Sequence, residues 1–385
     1  MSAPLDAALK VIQSIQWKQI LILTGIMMVL HVFLFDIVPS TEAEGVAPGA
    51  VTATSKAAPP KPTPTSGPAV SAIPGAPPGK KPNFKPPTSF DFVPELHTEP
   101  FLTTEPEDGN YETPIDSVPP DEYVAVCMSV KDQAQDMVEF FVHHYYNMGI
   151  QRFYVMDDGS EPPLSTFDYP GIPRTALTFT YQPRASRAGN MQTVFYKWCI
   201  ERYADKHTWI AFLDGDEFLE TPGNETLREV LETFEEDDTV GALGVNWRMH
   251  SSSGLLQRPE SVRQSFTTCI YDDLEHNGTA SANSHIKSIV KAKYAEAAIN
   301  PHKFAIMGRN TVGEYGDVVT TAAWRRPITR TRVGLHHYAV KSREEYVAKM
   351  NRGNGMTQPK GEAFWMEIEN ETPHVNCTEM KAYSP

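Results

Sequence analysis

Apolar residues along this chain fall into three regimes. From Ile20 to Val38 they are nearly continuous, and as a helix that run is about 28 Å long, enough to cross the hydrocarbon core of a bilayer. From Pro39 to Pro120 large apolar residues are sparse. From Tyr123 onward short apolar runs alternate with amphipathic stretches, the pattern of an α/β domain.

In this last regime Tyr123–Val130 predicts a strand ending at Lys131-Asp132. Met137, Phe140, Phe141, His144, Tyr145 and Met148 recur at three- and four-residue spacing and predict a helix closed by Gly149. His143 and His144 are expected to be ordinary helix residues. Arg152–Met156 predicts a second strand, ending in Asp157-Asp158-Gly159-Ser160. A polar loop carries Arg184 and Arg187; Asn190 is expected to cap a helix whose apolar face holds Val194, Phe195, Trp198 and Cys199. The run Trp209-Ile-Ala-Phe-Leu predicts a strand buried on both faces of a mostly parallel sheet, ending at Asp214-Gly215-Asp216. A helix near Leu227–Phe234, a strand at Val240–Trp247, an apolar segment at Ser288–Val290 and a short strand or loop at Val333–Tyr338 follow. Ser342 and Glu345 form a capping box for one more helix.

Composition sharpens the division. Pro39–Pro120 contains more than half of the chain's 32 prolines, and such a stretch buries too little surface to offset its ordering entropy, so it predicts a disordered stalk. Lys10 and Lys18 precede the apolar run and acids follow it, which predicts a cytoplasmic tail over 1–19, a transmembrane signal anchor over 20–38, the stalk over 39–120 and a lumenal domain over 121–385. Sequons at Asn224, Asn277, Asn370 and Asn376 agree with that topology. A formal net charge of −14 argues against nucleic acid as a partner. The four cysteines lack zinc-like spacing. They allow up to two disulfides, with buried free thiols expected at Cys127 and Cys199.

The chemistry concentrates at strand ends. In open α/β sheets the ligand crevice lies at the carboxyl ends of the strands. Two carboxylates there, Asp214 and Asp216, repel each other unless a cation lies between them, which points to Mn²⁺ or Mg²⁺ holding a phosphate-bearing ligand. Asp157 and Asp158 can accept hydrogen bonds from a nucleoside. A neutral imidazole from His336-His337 would complete a metal site, with Lys341, Lys349 and Arg352 adding positive charge nearby.

In order along the chain, Val130–Glu139, Gly149–Ser160, Gln192–Cys199, Trp209–Leu219, His337–Ser342 and Arg352-Gly353 resemble glycosyltransferase family 92 and neighbouring family 2-like enzymes. The resemblance implies a GT-A fold, a nucleotide-binding α/β domain with a mixed central sheet flanked by helices. It also implies an inverting Golgi transferase of single-pass type II topology, using a UDP-sugar donor, galactose favoured, and a glycan acceptor. Mapped onto this chain it makes Asp214, Asp216 and His337 the metal ligands and sets Asp157 and Asp158 toward the nucleoside with Lys131 nearby; Arg187, Gln192 and Lys341 are further expected at the nucleotide sugar. Trp247 and Arg248 are expected to line the acceptor cleft. Glu217 is the first candidate for the base, ahead of Asp272, Asp273, Glu314 and Asp317. Lys131-Asp132-Gln133 stands where the family commonly has Lys-Asn-Glu, and Asp158-Gly159-Ser160 departs from its usual Asn-x-Ser. A metal-dependent phosphohydrolase and a non-catalytic glycan-binding relative are the rival readings.

Overall fold

The computed structural model describes residues 111–112, 122–187, 189–356 and 360–383. Among the described residues no helix is long and apolar enough to cross a membrane; the span expected at Ile20–Val38 lies outside them, as does nearly all of the expected stalk.

The strands in chain order are β1 (Tyr111–Glu112), β2 (Val124–Val130), β3 (Arg152–Asp157), β4 (Leu177–Tyr181), β5 (Trp209–Phe212), β6 (Glu217–Glu220), β7 (Val240–Met249), β8 (Thr268–Ile270), β9 (Ile286–Lys291), β10 (Ala297–Ala298), β11 (Phe304–Ala305), β12 (Asn310–Val312), β13 (Gly334–His337) and β14 (His374–Asn376). Ten of them form one sheet in the order β1-β4-β3-β2-β5-β9-β7-β13-β6, with β12 also on β7. β4, β3, β2 and β5 run parallel, whereas β9 is antiparallel to β5 and β7, so the sheet is mixed. β1 comes from the stretch expected as stalk and pairs antiparallel with β4.

Alternation along β2 builds two cores. Val124, Val126, Met128 and Val130 face one side with Met137, Phe140 and Phe141 of helix α1 (Ala134–Val142); Ala125 and Cys127 face the other with Phe195, Cys199 and Ile200 of helix α2 (Met191–Tyr203). After α1 the chain makes one π turn over His143–Asn147, and Gly149 closes the unit at φ +72°. His143 and His144 are buried and bonded to the Leu219 and Phe140 carbonyls, as ordinary packing residues.

Two local expectations are corrected. Asn190 stands in the left-handed region at φ 58° and makes no side-chain cap, because that turn uses its backbone conformation rather than its amide. Cys127 and Cys199 are joined in a disulfide, with Cα atoms 6.5 Å apart. The packing of α2 on β2 that buries both sulfurs also brings them together. Cys269 and Cys377 form a second disulfide.

The turn between β5 and β6 bends the sheet. Four strand spacings separate them along the ladder, about 19 Å if flat. The five residue steps from Phe212 to Glu217 reach at most about 17 Å when fully extended, and they include a hydrogen-bonded turn. The sheet therefore curls, and the Asp214–Asp216 turn closes its open side.

Candidate active site

The turn is fastened from within. The Glu217 amide donates to the Asp214 carbonyl at 3.0 Å, and the Asp216 carbonyl accepts from the Tyr338 amide just beyond β13. Gly215 lies so close to α1 that a Cβ there would fall 2.5 Å from the Met137 Cε. Any side chain at 215 displaces that methionine from beneath the turn.

The two aspartates have separate partners. Asp214 Oδ1 accepts from Gln192 Nε2 at 2.5 Å and the Tyr196 hydroxyl at 3.3 Å, and lies 2.9 Å from Lys287 Nζ. Asp216 Oδ2 accepts from Lys349 Nζ at 2.7 Å, while its Oδ1 is 3.6 Å from His337 Nε2. Burial works to raise the Asp216 carboxyl, but the nearby cations outweigh it and hold it far below the usual carboxylate range. Lys349 is the leading cause of that pull, with Lys341 adding to it, and burial keeps His337 far below the ordinary imidazole range and so neutral. His337 Nδ1 is buried with no hydrogen-bond partner among the described residues.

Under the turn lies a charged cluster closed to solvent. Glu217 is 0% exposed, accepts from the Asp214 amide at 2.9 Å and lies 3.4 Å from Lys287 Nζ. Burial, reinforced by Asp214 and Asp216 and opposed by Lys287, pushes its carboxyl well above the usual range. Lys287 moves upward too: burial opposes its charge, but Asp214, Glu217 and Tyr196 outweigh it. The expectation of Glu217 as the base is corrected here, because a sealed side chain does not meet an acceptor hydroxyl. Its position is that of a brace.

Beside Asp216 opens a pocket of about 400 Å³, lined among others by Asp132, Gln133, Asp136, Lys341, Lys349 and Arg352. Its size suits a small polar ligand. Lys341 stands at φ 53° and pairs with Asp136 at 2.8 Å. Arg258 pairs with the same carboxylate.

The remaining residues expected at the nucleotide sugar gather around one segment of chain. Lys131 Nζ donates to the Arg352 carbonyl, Arg187 to the Asn354 carbonyl, and the Gln192 amide to the Gly355 carbonyl. Arg187 also grips both oxygens of Asp158. The Lys131 and Arg187 side chains and the Gln192 backbone N–H thereby clasp the loop that follows helix α3 (Arg343–Arg352). Asp157 is spent locally, accepting from the Ser160 and Leu164 amides; burial, partly offset by those bonds, pushes its carboxyl up to about 6.

Trp247 and Arg248 do not share a wall. Trp247 is buried with its ring 4.3 Å from His337, whereas the Arg248 guanidinium lies near Asp272 and Glu379, as neighbours on one strand must. Among the other base candidates, Glu314 accepts from the Thr331, Arg332 and Val333 amides, Asp317 pairs with Arg325, Asp272 with Arg330, and Asp273 accepts from the Ala280 amide. Each carboxylate is occupied in holding a loop.

Sequence reasoning passed over Lys287 and Tyr196. The signal for Lys287 was present: a lysine between isoleucine and serine in the buried strand Ile286–Lys291 needs a partner charge.

A mixed α/β sheet with paired acids at a strand end beside a polar pocket is the layout of an α/β domain with its ligand crevice at the strand ends. The family model described as glycosyltransferase family 92 matches residues 122–371, and the chain belongs to that family. A glycosyltransferase family 92 protein of rice, Oryza sativa subsp. japonica, is 28% identical over 150 residues, which cover 38% of this chain and 24% of the rice protein. The match thus spans about a quarter of that relative's length. The family is one of glycosyltransferases, enzymes that take a sugar donor and an acceptor.

Proposed function

We propose that the chain is a metal-dependent, inverting glycosyltransferase of GT-A type that moves a hexose, galactose favoured, from a UDP-sugar to a glycan hydroxyl. In this reading Ile20–Val38 anchors it in the Golgi membrane with residues 121–385 in the lumen. The observation that carries the proposal is the approach of Asp216 to His337, 3.6 Å apart, on a turn that opens to the 400 Å³ pocket.

Two of the three proposed donors, Asp216 and His337, stand close enough for one divalent ion to join them. Two ligand atoms at right angles, each about 2.1 Å from one ion, are about 3 Å apart, so Asp216 Oδ1 and His337 Nε2 need move little. His337 is neutral, as a ligand must be, and Asp216 is ionised. Asp214, on the same turn, would complete the set. Mn²⁺ or Mg²⁺ held there would supply Lewis-acid stabilisation of the departing diphosphate.

The chain's own residues then have defined tasks. Lys349 and Lys341, on the pocket wall, add positive charge where a diphosphate would develop negative charge. Lys287 and Glu217 keep the turn in shape from below. The clasp of Lys131, Arg187 and Gln192 on 352–355 positions the segment that follows Lys349 and Arg352. The sugar is transferred in a single displacement, with the acceptor hydroxyl attacking the anomeric carbon from the face opposite the diphosphate.

The test is a screen of UDP-sugars against glycan acceptors with the full chain, in Mn²⁺ and in excess chelator. Transfer with inverted anomeric configuration is expected in Mn²⁺, falling at least roughly 100-fold on chelation. Undiminished transfer in chelator refutes the metal assignment, and phosphate release without transfer would favour a phosphohydrolase.

A further inference from the structure

A second cluster lies on the face of β13 opposite His337. His336 Nε2 is 2.8 Å from Glu220 Oε2, His336 Nδ1 is 2.8 Å from His250 Nε2, and His250 Nδ1 is 2.8 Å from the Phe266 carbonyl. Cys377 Sγ is 3.7 Å from His250 Nε2 and is bonded to Cys269. His250, His336 and Cys377 offer ligand atoms all within 4.8 Å of one another. His250, His336, Cys269 and Cys377 are each at most 2% exposed.

The hydrogen-bond chain is one proton short. Its two ends, the Phe266 carbonyl and the Glu220 carboxylate, both accept, so each imidazole must turn its single N–H outward. The central contact then sets two nitrogen lone pairs face to face. Either an extra proton enters this dry site, or a cation accepts both lone pairs. The outward N–H bonds to a carbonyl and a carboxylate are also what orients histidine ligands around a metal.

We propose that reduction of the Cys269–Cys377 disulfide converts this cluster into a tetrahedral zinc site, with His250 Nε2, His336 Nδ1 and the two thiolates as ligands. Around zinc, two imidazole nitrogens lie about 3.3 Å apart and a nitrogen and a sulfur about 3.6 Å apart. The Cys377–His250 separation already meets this, and the two rings need to part by about half an ångström. A phosphine reductant breaks the S–S bond with one water, giving two thiols and the phosphine oxide; the metal then displaces both thiol protons. This site is separate from the Asp214–Asp216 turn and does not rest on the transferase reading. It would tie β14 and the C-terminal segment to β7 and β13, the strand that carries His337.

The experiment is anaerobic Co²⁺ titration of the full chain, oxidised and phosphine-reduced, followed by absorption. One equivalent with thiolate-to-cobalt charge transfer and tetrahedral visible bands is expected in the reduced protein and not in the oxidised one, with Zn²⁺ abolishing both signals. Cys377→Ser and His336→Gln should each lose the charge-transfer band, while Asp214→Asn should keep it. The proposal fails if the reduced, folded chain gives no such band, which leaves the cluster a proton-sharing relay. It fails equally if the band survives His336→Gln, or if reduction unfolds the chain and cobalt does not restore it. The oxidised and reduced natural chains compare the two states without any substitution.

Discussion

Asp216→Ala is expected to lower transfer by at least roughly 10²–10³-fold, the loss typical when a group stabilising developing charge is removed. Asp216 sits between His337 and Lys349, so its loss removes a proposed metal ligand and frees the lysine at once. Lys349 keeps the Ala339 carbonyl as a partner and is partly exposed, so the protein should remain folded. The defect belongs in kcat, measured by steady-state transfer, with circular dichroism unchanged. A variant that transfers at the natural rate would remove Asp216 from the reaction.

The second large effect is on stability. Lys287→Met should lower it by roughly 3–5 kcal/mol, the cost of leaving one partner of a buried ion pair uncompensated. Glu217, at 0% exposure and with Oε1 already unbonded among the described residues, either stays charged without a counter-ion or takes up a proton. For a domain of this size the melting temperature should fall on the order of 10 °C. Adding Glu217→Gln removes the stranded charge and should restore much of the loss. Thermal unfolding of the three chains decides the matter: equal melting of Lys287→Met and the natural chain would mean that Lys287 does not support the turn.

Much of the parallel half of the sheet was legible because it is local. Apolar runs bounded by Gly149 and Asp-Gly turns mark β2, β3 and β5, and the capping box at Ser342 marks the start of α3. The other half is assembled from pairings distant in sequence, such as β6 on β13 and β7 on β9, which periodicity does not report. For that reason the acidic turn read as the end of one strand rather than the link between two distant positions in the sheet. Asp157, Asp158 and Arg187 read as ligand groups because their types suit a nucleoside. Their partners turned out to be backbone amides, each other and the 352–355 loop, contacts that depend on where distant loops fall. Glu217 read as reactive because it adjoins the two aspartates, and only burial reveals it as a brace. The cysteines failed for the same reason as β6: helix-on-sheet packing sets which sulfurs meet.

The central claim is that Asp214, Asp216 and His337 hold a divalent ion that carries the diphosphate of a UDP-sugar. Calorimetric titration of UDP into the full chain, with and without Mn²⁺, tests it most directly. The account predicts UDP binding that requires Mn²⁺ and is lost in His337→Ala. Equal affinity in the presence and absence of metal, or metal-dependent binding unchanged in that variant, would contradict it.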